Sequence, residues 1–84
     1  MEPDEAKALL ADLNPEALLA DGFDRALAGI GYRCGLGPIA IYDRGRCIEI
    51  LMEDGMTETQ AEEFFSFNVE GAYLGEGTPL YVQF

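Results

Sequence analysis

Apolar residues recur at helical spacing near the start of the chain. Ala6, Leu9, Leu10 and Leu13 share one face of a helix predicted over Pro3–Leu13, with Asp4 and Glu5 at its favourable N-terminal end. Asn14 is a good helix cap and Pro15 suits a first helical position, so a second short helix is predicted over Pro15–Ala20. Asp21-Gly22 ends it. Between Phe23 and Arg33 two patterns compete. Ala26, Ala28, Ile30 and Tyr32 alternate with Leu27, Gly29 and Gly31, as in a strand, while a helix would have to carry two interior glycines. The strand is the better of the two readings. Cys34 to Pro38 is turn-forming, and Ile39–Tyr42 is the clearest strand. The two strands are expected to pair as a hairpin.

The second half is more helical. Asp43 can cap a helix over Arg44–Glu53 whose apolar face is Cys47, Ile48, Leu51 and Met52, closed by Asp54-Gly55. Thr57 and Gln60 fit the capping-box spacing, with Met56 placed to act as a hydrophobic staple. The helix they start is expected to bury Ala61, Phe64, Phe65 and Asn68 or Val69, ending near Gly71. Gly75–Pro79 reads as a loop. Leu80–Phe84 reads as a final strand with Leu80, Val82 and Phe84 on one face. The aromatic residues Phe64, Phe65, Tyr73, Tyr81 and Phe84 are assigned mostly to the core, with Phe67 off the buried stripe. Together these elements predict an α+β fold: a small, mostly antiparallel sheet of about three strands with helices on one face. Eighty-four residues are expected to form a single domain, fraying at Met1 to Asp4.

Charge changes the picture more than composition does. Sixteen acids face five bases, a net charge of −11. Residues 1–24 carry a net −6 and residues 49–84 a net −8, whereas residues 25–48 carry +3. This uneven distribution predicts a polarised surface. A field of this sign repels nucleic acid and anionic lipid and favours encounter with basic proteins, so neither direct nucleic-acid binding nor membrane binding is expected. The acidic start, Met-Glu-Pro-Asp-Glu, lacks the basic stretch of a signal peptide, and Cys34 and Cys47 are too few for a disulfide framework. Cytoplasmic residence with reduced thiols buried as small hydrophobes is the expectation.

Catalytic chemistry finds few candidates. The chain has no His, and its one serine, Ser66, has no identifiable base. Two cysteines cannot fill a tetrahedral zinc site. The glycine pairs Gly29/Gly31 and Gly35/Gly37 do not combine into a phosphate-binding loop, and no Lys follows them. Neither an enzymatic activity nor a cofactor is expected. Carboxylates remain. Glu49/Glu53 and Glu58/Glu62 stand at helical spacing, with Glu63 beside the second pair. With Asp54 and Glu70 they form the candidate partner-binding set.

From Tyr42 to Val82 the chain resembles a family of short uncharacterised proteins encoded by bacteriophages and prophages. The likeness rests on Tyr42-Asp43, Cys47-Ile48-Glu49-Ile50-Leu51-Met52 and Asp54-Gly55-Met56-Thr57. It continues through Ala61-Glu62-Glu63-Phe64-Phe65, Phe67-Asn68-Val69, Gly71-Ala72-Tyr73, Gly75-Glu76 and Thr78-Pro79, with Ala28 to Gly31 and Cys34-Gly35 upstream. The resemblance implies a phage origin and a place in the host bacterial cytoplasm, and it transfers no catalytic residue. Two functions are then expected in turn. One is a small acidic interaction protein that binds and inhibits a basic host protein surface, as an anti-CRISPR-type or nucleic-acid-mimicking inhibitor would. The alternative is a homo-oligomeric structural or regulatory phage protein, in contact through the Phe67 region or the Leu80–Phe84 edge.

Overall fold

A computed structural model describes all 84 residues. The chain folds as α1 (Pro3–Leu13), β1 (Leu27–Arg33), β2 (Leu36–Asp43), α2 (Arg44–Glu53), α3 (Glu58–Phe65) and β3 (Leu80–Val82). A single 3₁₀ turn, Asp24–Ala26, leads into β1, and one π turn, Ser66–Glu70, extends α3. The architecture is α+β.

Local signals account for most boundaries. Pro3 opens α1, inside the stretch expected to fray, and the Asn14 N–H closes it on the Leu10 carbonyl. The Asp43 side chain accepts from the Arg46 N–H, capping α2. The far end of α2 closes with two bonds: Gly55 N–H to the Met52 carbonyl and Met56 N–H to the Leu51 carbonyl. That paired pattern needs a left-handed residue, which Gly55 supplies at φ +107°. Both arms of the Thr57/Gln60 capping box are present.

The sheet has the order β1-β2-β3. β1 and β2 form an antiparallel hairpin across Cys34 and Gly35, with Arg33 opposite Leu36. Strand pairing thus starts at Leu36, earlier than the turn predicted over Cys34–Pro38. β3 joins the other side of β2 in parallel, with Tyr42 opposite Tyr81. The crossover between those strands contains α2 and α3, as a parallel pair requires a long connection.

The helix predicted over Pro15–Ala20 does not form. Asn14 makes one turn, its Oδ1 accepting from the Glu16 N–H and its carbonyl from the Ala17 N–H. The chain then leaves helical geometry because distant partners claim its amides. Leu18 N–H donates to the Gly77 carbonyl, and Ala20 N–H donates to the Tyr42 hydroxyl. A six-residue helix is marginal without packing, so two tertiary hydrogen bonds outweigh its cap.

The core lies between the helices and one face of the sheet. It joins Ala6 and Leu10 of α1, Cys47, Ile48, Ile50 and Leu51 of α2, and Ala61 and Phe65 of α3 with Leu27, Ala40 and Tyr42. Phe23, Phe65, Tyr81 and Tyr42 run through it as an aromatic chain, with ring centroids 5.8, 5.0 and 5.6 Å apart. The last strand is shorter than expected and its inward residue is Tyr81 rather than Leu80, Val82 and Phe84. Phe64, Tyr73 and Phe84, expected in the core, are exposed, and Phe67 is exposed as its place off the buried stripe implies.

Candidate functional site

The seven carboxylates singled out in the sequence lie on α2, α3 and their flanks, and the structure divides them in two. Four are engaged by arginines. Glu53 takes Arg25 Nη1 at 2.8 Å and Arg46 Nη1 at 3.4 Å, and Glu49 stands 3.8 Å from the same Arg46 nitrogen. Glu62 and Glu70 converge on Arg44, at 2.9 Å from Nη2 and 2.8 Å from Nε. The remaining three, Asp54, Glu58 and Glu63, are exposed with no cation within salt-bridge reach.

Arg44 is the best anchored base. Besides its two carboxylates, its guanidinium lies over the Phe65 ring, 5.5 Å from the centroid. The paired carboxylates hold it charged, Glu70 most strongly and Glu62 next. The arrangement pins the π turn to the start of α2. The turn closes through Gly71 N–H to the Ser66 carbonyl, and a Cβ on Gly71 would stand 2.7 Å from that oxygen. Glu53 is drawn below the ordinary carboxylate range, chiefly by the hydrogen bond from Arg25.

The central bases therefore form no basic face. Lys7 pairs with Asp24, and Arg33 reaches across the hairpin to donate to the Gly37 and Glu76 carbonyls. Arg25, Arg44 and Arg46 each reach acids beyond residue 48, so most of the central positive charge is set against the acidic second half of the chain. Exposed pairs of this kind contribute little stability each, but they relieve repulsion in a chain of net charge −11.

The cysteines also part company. Cys47 is fully buried in the core, and burial pushes its thiol up to about 12. Cys34 is exposed at the hairpin tip, against the expectation that both are buried. No three acidic or thiol side chains converge as a metal-ligating group.

Phe67 lies off the buried stripe of α3, as its position in the sequence indicates, and Phe64, expected in the core, joins it on the exposed side. Phe64 and Phe67, one helical turn apart, line an open groove of about 450 Å³ with Met56, Gln60, Glu63 and Asn68. A separate groove of about 360 Å³ lies on the open face of the sheet, over Gly31, Ile39 and Ile41 with Tyr32, Tyr73 and Leu80 around it. Its charged lining residues are Glu70, paired with Arg44, and Arg33, whose Nη2 donates to the Gly37 and Glu76 carbonyls while its Nε is buried without a partner.

The chain matches no family model, no curated protein and no solved structure. No helix is long and apolar enough to cross a membrane.

Proposed function

We propose that the protein is an acidic docking protein that engages a basic protein surface through the α2–α3 face. One observation carries this reading: four of the five bases are paired with acids and Arg33 is held by backbone carbonyls, so Asp54, Glu58 and Glu63 on the α2–α3 face stand, with eight acids elsewhere in the chain, without a cation. Neutralisation of these carboxylates falls to solvent ions or to another molecule. A Lys- or Arg-rich surface would be steered to them and would release its own counterions on contact. The concrete form of this function is inhibition of a basic host protein in the bacterial cytoplasm by a phage-encoded partner, with nucleic-acid-guided defence complexes as natural targets because their channels are lined with bases. That form rests on the Tyr42–Val82 resemblance.

The test is affinity capture from bacterial lysate with wild-type protein and with a Glu58→Lys/Glu63→Lys double variant. The expected result is a basic protein held by the wild type, released by salt and lost with the variant. Equal capture by both proteins would sink the proposal.

A second reading, self-association, is favoured by the open sheet face. The groove over Ile39 and Ile41 is lined by no unpaired carboxylate, so two copies of an acidic chain can approach there with least repulsion. Sedimentation velocity decides this: a clean monomer at high concentration removes it.

A further inference from the structure

α3 carries two stripes of different fate. Ala61 and Phe65 point inward and are fully buried. On the other side Phe67 is 83% exposed and Phe64 40% exposed, side by side in the groove that begins at Met56. No other element of the chain lines that groove. Two aromatic rings left uncovered side by side on one helix face form an apolar patch suited to contact with a partner.

This shallow, open face offers apolar area and charge but little directional hydrogen bonding. The Gln60 side-chain oxygen accepts from the Thr57 N–H, and the Asn68 amide donates to the Phe64 carbonyl. The α3 backbone amides and carbonyls are largely occupied within the helix. A small polar ligand would thus find few partners here. Glu63 lines the groove, and Asp54 and Glu58 flank Met56 along the chain, all without cations of their own.

These features select among occupants. A second copy docked about a two-fold axis would set Glu63 against Glu63 in a chain of net charge −11. An added β-strand needs an unpaired strand edge, and the walls of this groove are helical side chains. An anionic lipid surface is repelled by the rim. A helix with its own apolar stripe fits: it can lay that stripe over Phe64 and Phe67, and Lys or Arg residues flanking it can reach Glu63 and the acids beside Met56.

We propose that the outward face of α3 is the docking site for a basic amphipathic helix of a protein partner. The proposal rests on the acidic docking function above and names the partner's chemistry.

Synthetic peptides test it. One is a Leu/Lys peptide with Leu at i, i+3, i+4 and i+7. A second has the same composition in scrambled order. Binding is read by fluorescence anisotropy, and helix gain by circular dichroism. The patterned peptide is expected to bind about tenfold or more tightly than the scrambled one, and Phe67→Ala is expected to remove about tenfold of that affinity. Phe67 is so exposed that the variant should keep the wild-type melting temperature, which a thermal scan checks. Equal binding of the two peptides, or an unchanged affinity in Phe67→Ala, overturns the helix groove while leaving basic docking standing. Absence of binding by either peptide at low salt overturns both.

Discussion

The Tyr42 hydroxyl accepts a hydrogen bond from the Ala20 backbone N–H at 2.9 Å. Tyr42 is fully buried and stacked against Tyr81, so a central sheet residue holds the loop between α1 and β1 in place. Burial pushes the Tyr42 phenol above its ordinary range. Removing the hydroxyl leaves the Ala20 amide without this partner. Tyr42→Phe is expected to cost about 1–2 kcal/mol in urea unfolding. It should also speed exchange of the Ala20 amide. Unchanged exchange there would show that the bond does not hold the loop.

Gly77 lets two backbones touch. A Cβ at this position would stand 2.5 Å from the Glu16 carbonyl oxygen, while one at Gly31 would meet the end of the Ile41 side chain at 2.6 Å. A side-chain end can rotate aside; a backbone carbonyl moves only with its segment. Gly77→Ala is expected to destabilise by about 1–3 kcal/mol and Gly31→Ala by less. Thermal or urea melts of the two variants settle the order.

The two thiols should behave differently. In the folded protein, an aromatic disulfide reagent is expected to label Cys34 promptly and Cys47 only on unfolding. Cys34→Ser should abolish the fast phase. Two fast thiols per chain would place Cys47 outside the core.

Alkaline pH should unfold the chain through its buried acids. Burial raises Cys47 from 9.0 and Tyr81 from 10.0, each to about 12. A group whose folded pKa is raised stabilises fully below its unfolded pKa and loses that contribution as pH rises through the folded one. The loss should therefore run from about pH 9 to pH 12. Near-UV circular dichroism is expected to be lost together with the last part of the tyrosinate absorbance, that of Tyr42 and Tyr81, since Tyr32 and Tyr73 are exposed and can ionise in the folded chain. Tyrosine titration complete near pH 10 with the fold intact would contradict it.

Acid acts with the opposite sign at Glu53. Its pKa is lowered by Arg25 and Arg46, so its contribution is present above the ordinary value of 4.5 and disappears as pH falls through the folded value. Glu53→Gln is expected to melt below wild type near neutral pH, the gap closing in the acid range. A gap that persists at low pH would assign the loss to packing rather than charge.

Signals confined to a few neighbouring residues were legible in the sequence. Pro3, Asp43, the Thr57/Gln60 pair and Asp54-Gly55 each act on a backbone group within one helical turn, and they set the bounds of α1, α2 and the start of α3. The alternation through Ile30 and Tyr32 marked β1 for the same reason. The seven acids were legible as residue types, but not their roles. Arg44 finds Glu62 and Glu70 at separations of 18 and 26 residues, and Arg25 finds Glu53 at 28, so only the fold decides which carboxylates stay free.

The fate of Pro15–Ala20 was likewise decided by Gly77 and Tyr42, far along the chain, because a short helix gains too little locally to resist them. Parallel pairing of β3, and with it the choice of Tyr81 over Leu80 and Val82 for the core, depends on where α2 and α3 deliver the chain. The net charge of −11 belongs to the sequence alone. That it leaves Glu63 unpaired beside an exposed Phe67, with Asp54 and Glu58 also unpaired, belongs to the tertiary structure. Charge is a sum over residues, whereas pairing and exposure are distances that only the packed chain defines.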